Sequence, residues 1–280
     1  MSKIGLGTWR MGVSGDDEKD IAAIHHAVNR GLTHIDTAES YGDGLCEDLV
    51  GRAIKKFPRQ KLFIATKVRE QKLEYADVIK SCKESLERLG TPYIDLFYVH
   101  KPSPTIPVEE TARALNELLE LGLIKHVGLS NVSVKTIQEY QKFLSAPVYA
   151  VQNHYNLVCR ESRVKGIIDF CAQNDIKFYA WRPIKVAYPE DMEFTLDKCE
   201  MLCEMAEKYG KTTAQIAVRW ILQQDDVRVL FKSSSPKHID EIIEAEEFQL
   251  TESDWEKLDK DFPVQKVQTF TGSSGYMDVL

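Results

Sequence analysis

The sequence predicts a single (β/α)8 barrel, the TIM-barrel fold, and three observations support this prediction. Eight short runs rich in apolar, β-branched and aromatic residues recur along the chain. Amphipathic segments of helical length separate these runs, an alternation typical of a parallel sheet with crossover helices. The length of 280 residues also fits such a barrel, which usually takes roughly 250 residues. We therefore expect one domain that spans residues 1–280.

The eight runs are the predicted strands of the barrel. Their composition is typical of strands that helices cover on the outer face of a parallel sheet. The runs are Ile4 to Thr8, His34 to Asp36, Leu62 to Lys67, Ile94 to His100, His126 to Ser130, Val148 to Gln152, Lys177 to Trp181 and Arg228 to Lys232.

Helical spacing identifies segments between the strands. Val78, Cys82, Leu86 and Leu89 lie on one helical face, and Gly90 follows as a stop signal. Such apolar faces pack against the outside of the barrel strands.

Two further helices are predicted, one after the fourth strand and one near the carboxyl terminus. The first opens at Thr105 and Pro107 and ends before Gly122. The second is an added C-terminal helix that starts at Thr251, where Asp254 three residues on resembles a capping box. After about residue 263 the helical periodicity fades, and we expect an irregular, mobile tail.

The acidic balance of the chain limits its partners. Its formal net charge is −7, so it has no basic excess with which to bind nucleic acid or a membrane surface. No secretion leader and no stretch of about 18 apolar residues is visible, so we expect a cytoplasmic protein. The six cysteines are scattered, without the paired spacing of a zinc site, and no metal site is expected.

Nearly every predicted strand ends at a polar side chain. If the strands form one parallel barrel, their carboxyl ends meet at a single rim, where barrel enzymes place their catalytic groups. The pattern therefore indicates an enzyme. Trp181 ends one run, and the residues that end the others are Thr8, Asp36, Lys67, His100, Ser130 with Asn131, Gln152, and Lys232.

Asp36, Tyr41, Lys67 and His100 form a complementary set for acid–base chemistry. Tyrosine is a poor proton donor at neutral pH, because its ordinary pKa is about 10. A nearby ammonium group favours the ionised phenol, and a carboxylate holds that ammonium in place. Histidine adds a second donor that can orient a carbonyl oxygen.

Each of these residues, taken alone, has a simpler interpretation. An Asp at a strand end often caps a helix, a Lys there is often a solvated charge, and Tyr41 before Gly42 could be a turn residue. Four complementary groups at neighbouring strand ends favour a catalytic site over these separate roles.

At this point the sequence resembles the aldo-keto reductase family. The segment 31–42, GLTHIDTAESYG, with Glu47 and the later LVG at 49–51, resembles the first signature of the family. LERLG at 86–90, YIDL at 93–96 and His100 resemble the second signature. GLSN at 128–131 and Gln152 extend the match, which runs from Gly5 to about Pro263.

The resemblance implies a (β/α)8 barrel that reduces aldehydes or ketones with a nicotinamide cofactor and no Rossmann domain. It implies Tyr41 as the general acid, tuned by Lys67 and Asp36, with His100 placing the substrate oxygen. The resemblance also assigns cofactor contacts: Ser130, Asn131 and Gln152 to the carboxamide, Trp181 to the ring by stacking, and Thr8 to the same rim. Outside the family context, the three amide-binding residues could simply cap loop backbone, and Trp181 could be core.

The segment after the last strand is where the resemblance places the adenosine 2′-phosphate. Lys232 and Ser233 are expected anion ligands near a helix start. His238 stands where Arg is common in the family, and His cannot supply the forked, permanent charge of Arg. We therefore expect NADP(H) as the cofactor and keep NAD(H) open.

Two other departures from the family pattern stand out. Arg182 follows Trp181 where Ser is frequent, and it could bind a cofactor or substrate anion, or pair with a surface carboxylate. The sequence also begins at the first predicted strand, without the hairpin that usually covers the barrel floor. The sequence alone offers no cover for that end.

Three functional hypotheses remain. The first is an NAD(P)H-dependent oxidoreductase acting on a small carbonyl or alcohol substrate. The second is a cofactor-binding regulatory or scaffold protein of the same fold with little turnover. The third is an isomerase or lyase that uses Lys67 as a Schiff base, which requires a neutral lysine. The oligomeric state is left open.

Overall fold

The computed structural model, which describes residues 2–13, 15–184 and 199–262, is a closed barrel of eight parallel strands. Each strand pairs with the next along the chain, and the eighth pairs with the first. This confirms the predicted fold class. The strands are β1 Ile4–Gly7, β2 His34–Asp36, β3 Phe63–Val68, β4 Ile94–Val99, β5 Ile124–Ser130, β6 Ala150–His154, β7 Lys177–Trp181 and β8 Val227–Phe231.

Helices follow the strands and cover the outside of the barrel. Within the described ranges, no helix is long and apolar enough to cross a membrane. The helices are α1 Asp17–Asn29, α2 Leu45–Ile54, α3 Tyr75–Leu89, α4 Val108–Glu120, α5 Val134–Phe143, α6 Glu161–Val164, α7 Ile167–Gln173, α8 Glu200–Tyr209, α9 Thr213–Leu222, α10 Pro236–Glu244 and α11 Glu252–Asp261.

The helix signals are confirmed, with two local differences. Helix α3 ends before Gly90, which adopts the left-handed conformation. Helix α4 begins only after Pro107, and the hydroxyl of Thr105 pairs with that of Ser103 instead of capping the helix. The added helix α11 is capped by Thr251, whose side chain accepts from the Asp254 amide.

The Thr251 cap is only half of a capping box. The carboxylate of Asp254 accepts from the Thr251 hydroxyl at 2.8 Å, whereas the backbone N–H of Thr251 donates to the Tyr209 hydroxyl at 2.9 Å. A tertiary contact therefore replaces the second local bond. The expected tail after about residue 263 lies outside the described residues.

The inside of the barrel is filled by side chains from alternate strand positions, as in other barrels of this size. Two glycines make room for large neighbours. A Cβ on Gly128 would lie 2.4 Å from the ring of Tyr98, and a Cβ on Gly5 would lie 2.9 Å from Nδ1 of His34. The apolar part of this interior consists of Phe63, Ala65, Leu96, Tyr98, Ala150, Tyr179 and Leu230.

Aromatic side chains cover the amino-terminal end of the barrel, for which the sequence offered no cover. The ring of Tyr149 stacks on His126 with centroids 4.0 Å apart and on Phe63 at 6.0 Å. The Nζ of Lys177 lies 3.9 Å from the Tyr149 centroid, and His34 packs edge-on against Phe63. Side chains at or near the starts of the strands thus pack over this end.

Candidate active site

The barrel register brings the four candidate acid–base residues to the carboxyl-terminal rim. Asp36 is the last residue of β2, and Lys67 is the fifth residue of β3. His100 directly follows β4, and Tyr41 begins the short turn of helix at 41–44 before α2. Parallel pairing places these ends side by side, as the sequence predicts.

A buried ion pair lies at the centre of this group. The Nζ of Lys67 donates to Oδ1 of Asp36 at 2.6 Å and to the carbonyl of Thr37 at 2.6 Å. The side chain of Lys67 is 0% exposed and that of Asp36 is 5% exposed. Water therefore screens this pair very little, and the attraction is much stronger than in a surface pair.

The two charges are tuned by burial and by each other. Burial acts to lower the pKa of Lys67, but Asp36 and Tyr41 outweigh it and raise this pKa above 10.5. Burial raises the pKa of Asp36 from 3.8, against the effects of Lys67 and Gln152. Lys67 is thus a cation at neutral pH, which counts against the Schiff-base hypothesis.

Tyr41 lies beside this cation and faces the rim cavity. The Nζ of Lys67 is 5.2 Å from the centroid of the Tyr41 ring. Burial raises the pKa of Tyr41 above 10.0, and the opposing effect of Lys67 is smaller. Lys67 acts to lower the pKa of Tyr41, as expected, but burial outweighs it and the pKa rises. The phenol therefore keeps its proton at neutral pH.

His100 packs edge-on against Tyr41, with ring centroids 5.6 Å apart and an interplanar angle of 76°. Burial, and then the cations of Lys67 and Arg69, lower the pKa of His100 to about 3. The imidazole is therefore neutral at physiological pH. Its Nδ1 lies 3.2 Å from the hydroxyl of Ser40.

Thr8 and the predicted carboxamide ligands lie around the acid–base group, and all of them except Ser130 are hydrogen-bonded to it. The Thr8 hydroxyl donates to the Asp36 carbonyl at 3.1 Å, and Ser130 Oγ donates to the Gln152 carbonyl at 2.7 Å. The Nδ2 of Asn131 donates to the His100 carbonyl at 2.9 Å, and the Nε2 of Gln152 donates to Oδ2 of Asp36 at 2.9 Å. Because their amide nitrogens are used in this way, Asn131 and Gln152 offer their side-chain oxygens as acceptors.

Trp181 lies in an aromatic and cationic stack at the cavity edge. One face of its indole packs on His154, with centroids 4.4 Å apart and an angle of 13°. The guanidinium carbon of Arg182 lies 5.4 Å from the Trp181 ring and 5.5 Å from the ring of Trp9. Arg182 also has a left-handed backbone, with φ of 54°, a strained conformation typical of functional sites.

Sequence reasoning missed Trp9 and His154. Trp9 directly follows Thr8 on the rim, lines the cavity and is 41% exposed. His154 was missed because β6 runs two residues further than predicted, to His154 instead of Gln152. The available signal was spacing, since residues i and i+2 of a strand share a face.

The predicted anion ligands lie at the start of α10, but they do not all face the cavity. Lys232 lines the cavity, and its Nζ donates to the Ser234 hydroxyl at 2.9 Å. Ser233 bonds the Ser235 carbonyl at 3.3 Å. His238 is exposed in the first turn of α10 and does not line the cavity.

The rim encloses a cavity of about 470 Å³, within the roughly 300–1,000 Å³ range of small-molecule sites. It brings together acid–base, amide and aromatic groups. Lys67, Ser233 and His238 do not line it. The lining residues are Gly7, Thr8, Trp9, Asp36, Tyr41, His100, Ser130, Asn131, Gln152, Trp181, Arg182, Pro183, Ile184, Leu230, Phe231 and Lys232.

Comparison with known proteins decides the family. A sequence profile of the aldo/keto reductase family matches residues 3–261. The chain belongs to the aldo-keto reductase family. This membership confirms the resemblance of the two signatures and the predicted enzyme class, an oxidoreductase.

Relatives of known name match along most of their length. The aldo-keto reductase YhdN of Bacillus subtilis is 32% identical, over 90% of this chain and 87% of its own. The methylglyoxal reductase YeaE of Escherichia coli is 30% identical, over 95% of this chain and 93% of its own. An aldo-keto reductase of Klebsiella pneumoniae, solved in complex with NADPH, superimposes with a TM-score of 0.87 at 29% identity, covering 95% of this chain and 93% of its own.

Proposed function

We propose that this aldo-keto reductase reduces small aldehydes or ketones to alcohols with NADP(H), with Tyr41 as the general acid. One observation carries the proposal: a phenol that retains its proton lies beside a buried Lys67–Asp36 ion pair and lines a cavity with a neutral His100. The Escherichia coli relative that is named a methylglyoxal reductase supports the reaction class.

The cavity fits a nicotinamide cofactor, which when bound supplies the hydride that a carbonyl carbon accepts. Trp181 has one face on His154, and its indole lines the cavity as a stacking surface for a ring. The side-chain oxygens of Gln152 and Asn131 are the acceptors that a carboxamide amino group requires. These residues would hold the nicotinamide end.

Lys232 and the amino terminus of α10 would hold a phosphate group. Backbone N–H groups at a helix start and a nearby ammonium favour an anion. The NADPH complex of the Klebsiella relative supports NADP(H) over NAD(H). Since His238 replaces the usual Arg and lies outside the cavity, Lys232 would carry most of the discrimination between the two cofactors.

The chain's residues would then move one proton during reduction. As a carbonyl carbon accepted a hydride, its oxygen would take the phenolic proton of Tyr41, which would give an alcohol. The Lys67 cation stabilises the phenolate that remains, and Asp36 holds Lys67 in place. The neutral His100 donates a hydrogen bond to the carbonyl oxygen and orients it.

The experiment compares wild type with Tyr41→Phe on a panel of aldehydes, ketones and dicarbonyls, with NADPH and with NADH. We expect NADPH to give the lower KM. Tyr41→Phe should bind the cofactor normally, since the ring is kept, while turnover falls by about 10²- to 10⁴-fold.

Tyr98→Phe is the matched control. It removes the same hydroxyl from a buried tyrosine near Lys67, with Nζ 5.8 Å from the ring centroid, but Tyr98 faces the barrel interior. Its turnover should stay close to wild type. If Tyr41→Phe kept full turnover, the general-acid assignment would be wrong. If no carbonyl oxidised the bound cofactor, a regulatory or scaffold role would replace the reductase.

A further inference from the structure

Ser40 is a rim residue that the proposed mechanism leaves without a role. It precedes Tyr41 in the segment that joins β2 to α2, and its hydroxyl oxygen lies 3.2 Å from Nδ1 of His100. The bond joins two residues 60 positions apart, so it forms only when the β2 and β4 ends meet. The bond therefore acts on the imidazole of His100, which lines the cavity.

The protonation of His100 limits what this bond can be. Burial and the neighbouring cations Lys67 and Arg69 keep the pKa of His100 near 3, so the ring is neutral at physiological pH. A neutral imidazole carries one N–H and one lone pair. The direction of the Ser40 bond therefore decides which ring nitrogen carries the hydrogen.

Nδ1 of His100 is the one hydrogen-bond partner of the Ser40 hydroxyl in the described part of the chain. A partly buried hydroxyl without an acceptor loses the bond it makes in water. Donation from Ser40 to Nδ1 satisfies both groups. It leaves the hydrogen of His100 on Nε2.

We propose that Ser40 is a positioning residue that donates to Nδ1 of His100 and thereby holds the tautomer with its hydrogen on Nε2. This inference rests on the proposed function, because the Nε2–H is the group that would donate to the substrate carbonyl. In the opposite tautomer, the lone pair of Nε2 would face the carbonyl oxygen and repel it. Ser40 thus acts on the substrate through His100.

Backbone bonds hold both partners in place. The Tyr41 amide donates to the Ala38 carbonyl at 3.0 Å, which closes the turn around Ser40. On the other side, the His100 amide donates to the Val68 carbonyl at 2.9 Å, and Asn131 binds the His100 carbonyl at 2.9 Å. Because neither backbone has to reorganise, the bond is present before a substrate arrives.

The test measures the tautomer and the rate in the full-length protein. Nitrogen-15 NMR of histidine-labelled protein reports which ring nitrogen is protonated, and His100→Gln assigns the signal. We expect wild type and Ser40→Thr to show hydrogen on Nε2, and Ser40→Ala and Ser40→Gly to show a mixture of tautomers.

The kinetic expectation follows from the loss of one neutral hydrogen bond. Ser40→Ala should lower kcat/KM for carbonyl substrates by about 3- to 10-fold, with unchanged cofactor affinity, and Ser40→Thr should restore most of it. Ser145→Ala, an exposed serine that bonds Asn116, is the control and should match wild type.

Two results would overturn the proposal: hydrogen on Nδ1 in wild type, or an unchanged tautomer in both Ser40→Ala and Ser40→Gly. The NMR result does not require turnover. A chain that reduced no carbonyl would therefore remove the proposed function and still decide the tautomer.

Discussion

Lys67 shows how one residue acquires its chemistry from its surroundings. A lysine with no exposed surface is costly unless a counter-charge and hydrogen bonds compensate for lost hydration. Asp36 and the Thr37 carbonyl supply both. The result is a cation held beside a protonated phenol. This cation stabilises the phenolate that forms when the phenol gives up its proton.

Replacing Lys67 by Met tests this balance. The substitution leaves the buried Asp36 carboxyl without its partner, so the free energy of unfolding should fall by about 3–5 kcal/mol. Turnover of carbonyls should fall by about 10²-fold or more, because the phenolate loses its stabilising cation. Urea unfolding and steady-state kinetics measure the two effects.

The double variant Lys67→Met with Asp36→Asn separates stability from catalysis. It removes both charges, so most of the lost stability should return while turnover stays low. Full stability in the single Lys67→Met variant, or recovered turnover in the double variant, would contradict this account of the pair.

At the level of elements, the strand ends depend on contacts that the sequence does not display. β6 was expected to end at Gln152, but it continues to His154 because Asn153 and His154 pair with Ala180 and Trp181 of β7. The two added residues of β6 thus bring the His154 side chain against the Trp181 indole. Helix α4 likewise starts at Val108 and not at Thr105, since Pro107 disfavours the helical conformation for the residue before it.

The close approach of β4 and β5 gives a prediction at this scale. In Gly128→Ala, the new methyl group would lie 2.4 Å from the Tyr98 ring. We expect the free energy of unfolding to fall by about 1–3 kcal/mol, the usual cost of overpacking a core. Urea unfolding at a fixed pH measures it.

A smaller residue at position 98 should remove most of that cost. Gly128→Ala should therefore destabilise the Tyr98→Leu background much less than it destabilises wild type, a coupling expected of side chains in contact. An equal cost in both backgrounds would show that the Tyr98 ring is not the obstacle.

For the whole molecule, buried histidines make the fold sensitive to acid. Burial, followed by Lys67 and Arg228, lowers the pKa of His34 from 6.5 to about 3. Burial, followed by Arg182, lowers the pKa of His154 to about 3 as well. Both side chains lie within the barrel wall, so neither can take up a proton without disturbing the packing around it.

The sign of the effect follows from proton binding in the two states. Between about pH 3 and 6.5, the unfolded chain binds a proton at His34 that the folded chain does not. The free energy of unfolding should therefore fall as pH decreases through this window, by up to ~1.4 kcal/mol per pH unit for each such histidine. Above this window the contribution is fully present.

Denaturant unfolding from pH 7.5 down to pH 4 checks this prediction. His34→Gln should show a shallower loss of stability with acid than wild type, because the His34 contribution is removed while those of His100 and His154 remain. An identical pH slope in wild type and His34→Gln would mean that His34 takes up its proton in the folded state.

The sequence by itself determined the fold class and the rim on which the polar residues gather. Both follow from local features: runs of apolar residues set the strands, helical spacing sets the crossovers, and parallel strands bring the polar ends to one side. The family signatures then placed Asp36, Tyr41, Lys67 and His100 in one site. Strand runs, helical spacing and signature motifs depend only on residues that are close together in the sequence, so they can be read without the structure.

Only the tertiary structure decided which side chains contact each other and how deeply they are buried from water. Gln152 binds Asp36 across 116 positions, and Ser40 binds His100 across 60. Burial outweighs the cation of Lys67 and raises the pKa of Tyr41, and aromatic side chains close the barrel end. Contacts between distant residues and the loss of water arise only when the barrel closes, so no local pattern can display them.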